Sequence, residues 1–138
     1  MRQLFENGRE LRVLIRPSRR SPRLPRGLPI DVAVVSLSDE RAIRAALKGV
    51  DLIFHLAGAE SQGRNANLLA VDIEGTQSLV RVAADAGVKR FITVSHIGAN
   101  PASGYPVLKA KGIGEEHIRH SGMAWTIIRT SLVFGPGD

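Results

Sequence analysis

The sequence predicts an α/β fold in which a parallel β-sheet carries helices on both faces. Short runs rich in β-branched and aliphatic residues recur at residues 11–16, 30–35, 51–57, 90–95 and 124–129. Segments with apolar residues at helical spacing separate the later runs. Because strands that alternate with helices are joined most simply by right-handed parallel crossovers, we expect these runs to build a parallel sheet.

Each predicted helix carries a start or stop signal. Ser38 precedes two acidic residues, which suits an N-cap followed by a first turn that the helix dipole stabilises. Longer helices are predicted over residues 65–86 and 107–120, and a glycine closes each of them. The alternation is Rossmann-like, and 138 residues suffice for one core, so we assign residues 1–138 to one domain.

Composition excludes several classes of function. The net charge of +6 arises largely from arginines within a Pro/Ser-rich loop at residues 16–26, and aromatic residues do not alternate with them. A base-stacking surface is therefore not expected, and we predict no nucleic-acid partner. No run approaches the roughly 18 apolar residues that a membrane span requires, no signal peptide is visible and cysteine is absent. We expect a cytoplasmic protein without a transmembrane segment.

Residues 88–111 form the stretch around which a ligand site is predicted. The apolar strand 90–95 leads into a loop of Gly, Asn, Pro and Ser, and then Tyr105, Lys109 and Lys111 enter a helix. Open α/β sheets bind ligands in the crevice outside the carboxyl ends of their strands. We therefore expect a ligand crevice where the strand 90–95 ends.

Four segments resemble the extended and atypical short-chain dehydrogenase/reductases. They are HLAG at His55–Gly58, VDIEGT at Val71–Thr76, the run AGVKRFITVSHIGA and the tail WTIIRTSLVFGPGD. VSHIGA and GPGD are most similar to the NmrA-like branch and to the nucleotide-binding accessory subunit of respiratory complex I. The resemblance covers essentially the whole chain and implies an NAD(P)-binding Rossmann domain.

The same resemblance implies a first strand and a Gly-x-x-Gly-x-x-Gly turn, whose glycines let the backbone approach a pyrophosphate. The given residues contain neither, so we expect a partial domain that lacks this strand and Gly-rich loop and belongs to a longer protein. The strands 11–16 and 51–57 would flank the missing one. They must then pair directly or leave a gap, whose unpaired backbone groups cost about 1–3 kcal/mol each if buried. We expect a marginally stable chain.

The resemblance also implies which residues hold the cofactor. Arg16, with Ser18 and Arg19 after it, stands where an acid would bond the ribose 2′-hydroxyl, and its guanidinium suits a 2′-phosphate instead. We therefore expect NADP(H) in preference to NAD(H). In the HLAG run, the backbone of His55, Leu56, Ala57 and Gly58 is expected to line the cofactor, whereas the His55 imidazole is interpreted as structural. Asp72 stands where sugar-modifying members commonly carry Asn, and is interpreted as a plain helix residue.

The family reaction uses Ser or Thr to orient a carbonyl or hydroxyl, Tyr as acid/base, and Lys four residues later to lower the phenol pKa and bind ribose. Two alignments compete. In the first, Tyr105 and Lys109 have the required spacing. In the second, KGIGEE resembles the segment that in the family begins at the active lysine. Lys111 is then the active lysine, and Val107 occupies the position of the tyrosine. Pro106 favours the second alignment, because it suits a helix start and pushes Tyr105 out of helical geometry.

Two residues also compete for the position of the family's Ser or Thr hydroxyl. Ser95 ends its strand, yet counting from Phe91 puts the family hydroxyl at His96. Two functions are compatible with these residues: an NADP(H)-dependent oxidoreductase or epimerase-type enzyme acting on a small molecule, or a non-catalytic dinucleotide-binding subunit or redox sensor. The second function includes association with a membrane complex through a partner.

Overall fold

The computed structural model describes residues 1–18, 24–131, 133 and 135. In chain order its elements are α1 Arg2–Glu6, β1 Leu11–Ile15, β2 Ile30–Val34, α2 Glu40–Ala46, β3 Leu52–His55, a 3₁₀ helix Glu60–Asn65, a π-helix Leu69–Gly75, α3 Thr76–Asp85, β4 Arg90–His96, α4 Pro106–Arg119 and β5 Ala124–Thr130. This order confirms the predicted alternation of strands and helices.

All pairings in the described chain are parallel, as predicted, and they fall into two sheets. β1 pairs with β2, from Leu11 opposite Ile30 to Ile15 opposite Val34. β3, β4 and β5 form the second sheet in that order. β1 and β3 do not pair with each other. Direct pairing was one of the two outcomes expected for these strands, and the structure has the other, in which they stay unpaired.

One hydrophobic core supports both sheets. Phe91 of β4 is fully buried, and Ile53 of β3 lies beside it in the parallel register. These side chains pack with one face of α2, α3 and α4, represented by Ile43, Val82 and Ile118. Leu14 of β1 and Ala33 of β2 pack against the same cluster. The two sheets therefore lie on a common layer of helices.

The strand residues that point away from this layer form an exposed apolar face. Alternation along β3 buries Ile53 and His55 and leaves Leu52 and Phe54 exposed, Phe54 at 45%. Val94 of β4 and Ile128 of β5, which are paired in register, are exposed as well. The sheets are thus flanked by α2, α3 and α4 on one face, while α1 contains no buried residue.

Two local predictions differ from the structure. In place of the single helix predicted over residues 65–86, the structure has a π-helix followed directly by α3. The pattern of backbone hydrogen bonds changes at Thr76, and hydrophobic periodicity does not report that change. The N-cap of α2 is Asp39 and not Ser38, since Asp39 Oδ1 accepts a hydrogen bond from the Ala42 amide at 2.9 Å. None of the helices in the described ranges combines the length and hydropathy that a bilayer span requires.

Candidate functional site

A groove of about 520 Å³ opens at the carboxyl ends of the second sheet. It is lined by Leu56, Gly58, Glu60, Val94, Lys111, Thr130 and Val133. These residues come from the segment after β3, from β4, from the end of β5 and the segment that follows it, and from α4. The groove therefore lies where the end of strand 90–95 predicted a ligand crevice.

Lys111 and Asp72 form an ion pair beneath the groove. Lys111 Nζ lies 2.9 Å from Asp72 Oδ1, and the two side chains are only 12% and 2% exposed. The second carboxylate oxygen of Asp72 accepts a hydrogen bond from the Ala59 amide at 3.0 Å. The pair therefore joins α4, the π-helix and the segment after β3.

The π-helix and two glycines make this ion pair possible. π-Helical turns are rare and concentrate at functional sites, and here such a turn carries the buried carboxylate of Asp72. A Cβ on Gly58 would stand 3.0 Å from Lys111 Nζ and 3.3 Å from Asp72 Oδ1. A Cβ on Gly114 would stand 2.9 Å from the Asp72 carbonyl oxygen, so only glycine lets α4 approach the π-helix this closely.

Glu60 and His96 extend the charged cluster toward solvent. Glu60 Oε2 lies 3.8 Å from Lys111 Nζ and 2.8 Å from His96 Nε2. Both side chains are partly exposed, at 40% and 34%. Two carboxylates thus share one ammonium group, and an imidazole lies on the outer side of the cluster.

A second ion pair fixes α4 against β5. Arg129 donates to both oxygens of the buried Glu115 carboxylate, at 2.9 and 2.6 Å, and also to the Ala99 carbonyl oxygen at 3.0 Å. Arg119 donates to the same carboxylate at 2.7 Å. Burial alone would raise the pKa of Glu115, but hydrogen bonding from its neighbours, Arg129 foremost, lowers it instead. Because Glu115 lies one turn after Lys111, this contact also holds the lysine in place.

Ser95 and His55 lie below the groove, beside an inner cavity of about 20 Å³ that has room for one water molecule. Ser95 Oγ is buried and makes no hydrogen bond of normal geometry to the described residues, although it is near enough to Glu115 to favour its ionised form. His55 Nε2 is 3.0 Å from Thr76 Oγ1, and its ring packs at a tilt against Phe91. Burial, assisted by the positive charge of Lys111, lowers the pKa of His55 to about 4.

The structure separates the two lysines that the sequence left in competition. Lys111 lines both the groove and the inner cavity. Tyr105 is the 74% exposed residue before α4, and Lys109 is exposed on that helix. The Tyr105–Lys109 pair is therefore not brought into the groove, and these placements favour the alignment in which Lys111 is the site lysine.

The remaining predicted residues are distributed along the edges of the two sheets. Leu56, Ala57 and Gly58 follow β3, and Leu56 and Gly58 line the groove. Arg16 is exposed directly after β1, and Ser18 is described near it. Arg19 lies outside the described residues.

Sequence reasoning missed Glu60, Glu115 and Arg129, and it misjudged Asp72. The sequence did contain a signal for Asp72. An acid stands where sugar-modifying members commonly carry Asn, and a carboxylate interacts with a neighbouring lysine as an opposite charge. Glu60 and Arg129 lie far from Lys111 in sequence, and Glu115 meets Arg129 only through the assembled fold.

Comparison with known proteins places the chain. A family model described as NAD(P)H-binding matches residues 1–133. The chain belongs to this NAD(P)H-binding family. It is 33% identical over 100 residues, 72% of its length, to the mouse protein NADH dehydrogenase [ubiquinone] 1 alpha subcomplex subunit 9, mitochondrial, and covers 26% of that protein.

Further comparisons agree with this assignment. Over its whole length the chain is 31% identical to ceramide reductase of Caulobacter vibrioides, covering 43% of that protein. A short-chain dehydrogenase/reductase superfamily protein from Agrobacterium tumefaciens, solved with bound NAD, matches 93% of the chain with 28% identity and a TM-score of 0.71, and the chain covers 43% of it. The NAD(P)H-binding domain is thus of the short-chain dehydrogenase/reductase type with a Rossmann-like fold, and it spans less than half of these relatives.

The buried state of His55 predicts a pH dependence of stability. The native imidazole stays neutral down to about pH 4, whereas the unfolded chain takes up a proton near pH 6.5. The contribution of His55 to the free energy of unfolding is therefore zero above that range and falls by about 3 kcal/mol as the pH drops from 6.5 to 4. Urea unfolding across this range measures the slope. His55→Gln should lose the part of the slope that comes from His55, whereas His120→Gln, an exposed control, should keep it. Equal slopes in the unmodified chain and both variants would refute the assignment of this pH dependence to His55.

Proposed function

We propose that the groove and the segment after β3 bind the dinucleotide NADP(H), with Lys111 as the donor that meets it. The placement of Lys111 carries this proposal, because its ammonium group is held at the carboxyl ends of the strands, where dinucleotide folds bind their ligand. The residues present fit such a ligand: Gly58 brings backbone to the lining of the groove, and Leu56 and Val94 offer apolar surface. When bound, the dinucleotide supplies or accepts a hydride, while Lys111 binds and orients it.

The same arrangement argues against the usual tyrosine chemistry in this chain. Tyr105 is 74% exposed and is not among the residues that line the groove, and in the alignment that KGIGEE favours the tyrosine position on α4 is Val107. The charge of Lys111 is compensated by Asp72 and is less available to lower the pKa of a phenol. These features support a dinucleotide-binding subunit or sensor, and the likeness to a subunit named for NADH dehydrogenase supports association with a larger complex.

A reductase or epimerase-type enzyme is the second candidate for the whole protein. His96 favours it, because its imidazole lies at the end of β4 beside Glu60 and is partly exposed, so it can exchange a proton with a substrate oxygen. The likeness to a protein named ceramide reductase supports the same candidate.

A titration of this chain with NADPH tests the role of Lys111. We expect weak binding, since the given residues contain no Gly-rich phosphate turn. Lys111→Met should weaken it by about tenfold or more, the usual effect of losing a hydrogen bond from a charged donor. Lys109→Met removes an equal charge on the exposed side of the same helix and should leave the Kd within about twofold, as expected for a screened surface charge. Equal losses in both variants would contradict the proposal.

Cofactor preference tests the position of Arg16. Its exposed guanidinium after β1 is proposed to pair with a 2′-phosphate. Fluorescence titrations should give a lower Kd for NADPH than for NADH, and Arg16→Gln should remove most of that difference while leaving NADH binding nearly unchanged. Arg9→Gln serves as the control, because Arg9 is an exposed arginine at the opposite end of β1. Equal Kd values in the unmodified chain would refute this preference.

A further inference from the structure

The inner cavity below the groove differs from the groove in both size and lining. Its volume is about 20 Å³, and a buried space needs roughly 10–15 Å³ to hold one water molecule. Ser95, Thr76 and Thr93 line this cavity and are not among the described residues that line the groove. The cavity therefore has room for a single water molecule beside three residues that carry hydroxyl groups.

Among these hydroxyl groups, that of Ser95 has no partner of normal hydrogen-bond geometry in the described part of the chain. Thr76 Oγ1 bonds to the His55 ring and Thr93 Oγ1 donates to the His55 carbonyl oxygen, both at 3.0 Å. Ser95 is only 4% exposed, so bulk water does not satisfy its hydroxyl. Proteins pair nearly all buried polar groups with protein atoms or ordered water, because an unpaired one costs free energy. The Ser95 hydroxyl therefore needs a partner inside the cavity.

Two buried ion pairs border the same cavity. Lys111 and Asp72 both line it, and the Lys111 ammonium group has three N–H donors, of which Asp72 takes one. Glu115, which pairs with Arg129, lines it as well. Glu115 lies close to Ser95 Oγ, although outside normal hydrogen-bond geometry. Because a hydroxyl has one donor and two acceptor sites, Ser95 can direct its O–H toward Glu115 and still accept a hydrogen bond.

We propose that the inner cavity binds one water molecule, which accepts a hydrogen bond from Lys111 Nζ and donates one to Ser95 Oγ. Because the cavity has the size of one water molecule, a water inside it lies within reach of both residues. Every donor in the resulting chain meets an acceptor, from Lys111 through the water and Ser95 to Glu115. The water thereby joins the Lys111–Asp72 pair to the Glu115–Arg129 pair inside the core. Ser95 acts in the interior and not in the groove.

Oxygen-17 relaxation dispersion of water tests this proposal on the full chain. The method detects water molecules that a protein holds for longer than its own tumbling time, and exchange of hydroxyl protons does not disturb it. Ser95→Val and Ser95→Thr are the matched variants, since both add a branched side chain of nearly equal volume and only threonine keeps the hydroxyl. We expect Ser95→Val to lower the dispersion amplitude by about one water molecule per chain, because the cavity then loses a polar partner and space. Ser95→Thr should stay close to the unmodified chain.

A serine away from the cavity and a second measurement complete the test. Ser78 is a half-buried residue of α3 that is not among the residues lining the cavity, so Ser78→Ala should leave the amplitude unchanged. Amide spectra establish that each variant is folded. A high-resolution crystal structure of the unmodified chain needs no variant, and it should show a water oxygen about 2.7–3.2 Å from both Ser95 Oγ and Lys111 Nζ.

Three results would overturn the proposal: no long-lived water in the unmodified chain, equal amplitudes in Ser95→Val and Ser95→Thr, or a crystal structure whose cavity water does not contact Ser95. All of these measurements are made without NADPH. Their outcome is therefore independent of whether the groove binds a dinucleotide.

Discussion

The buried ion pair between Lys111 and Asp72 joins α4 to the π-helix, and through the Ala59 amide it also joins the segment after β3. Removing two charges from water costs several kcal/mol per ion, and attraction repays this only where geometry and additional hydrogen bonds are good. Here the second oxygen of Asp72 is satisfied by a backbone amide, and Glu60 lies on the open side of the ammonium. The surrounding backbone must therefore hold both side chains in this geometry for the buried pair to be stable.

Several local features of the fold follow from that constraint. Gly58 and Gly114 leave the space that the pair and the close approach of α4 need, and a Cβ at either position would enter it. The Glu115–Arg129 contact holds α4 to β5 one turn further along, so the lysine is fixed from both sides. His55 lies beneath the pair, and its buried, neutral imidazole adds no second positive charge. Charge balance as well as packing thus shapes the floor of the groove.

The sequence predicted the elements well because their hydrophobic periodicity reflects burial on a single layer of helices. The strand and helix containing Phe91 and Ile118 are examples, since both residues belong to that core. The π-helix escaped prediction because hydrophobic periodicity does not report which backbone groups bond to each other. Likewise, KGIGEE indicated Lys111, but nothing local to Asp72 indicated which cation it would meet. Contacts between distant residues, such as Glu115 with Arg129, require the assembled sheet.

The coupling between Lys111 and Asp72 tests this account most directly. In a double-mutant cycle followed by urea unfolding, Lys111→Met and Asp72→Asn should each cost about 3 kcal/mol, because each leaves a buried charge unpaired. The double variant should cost little more than either alone, giving a coupling of about 2 kcal/mol or more. The exposed Lys89–Asp51 pair provides the control, with an expected coupling below about 1 kcal/mol. Additive effects at Lys111 and Asp72, within about 0.5 kcal/mol, would show that the ion pair does not organise the site.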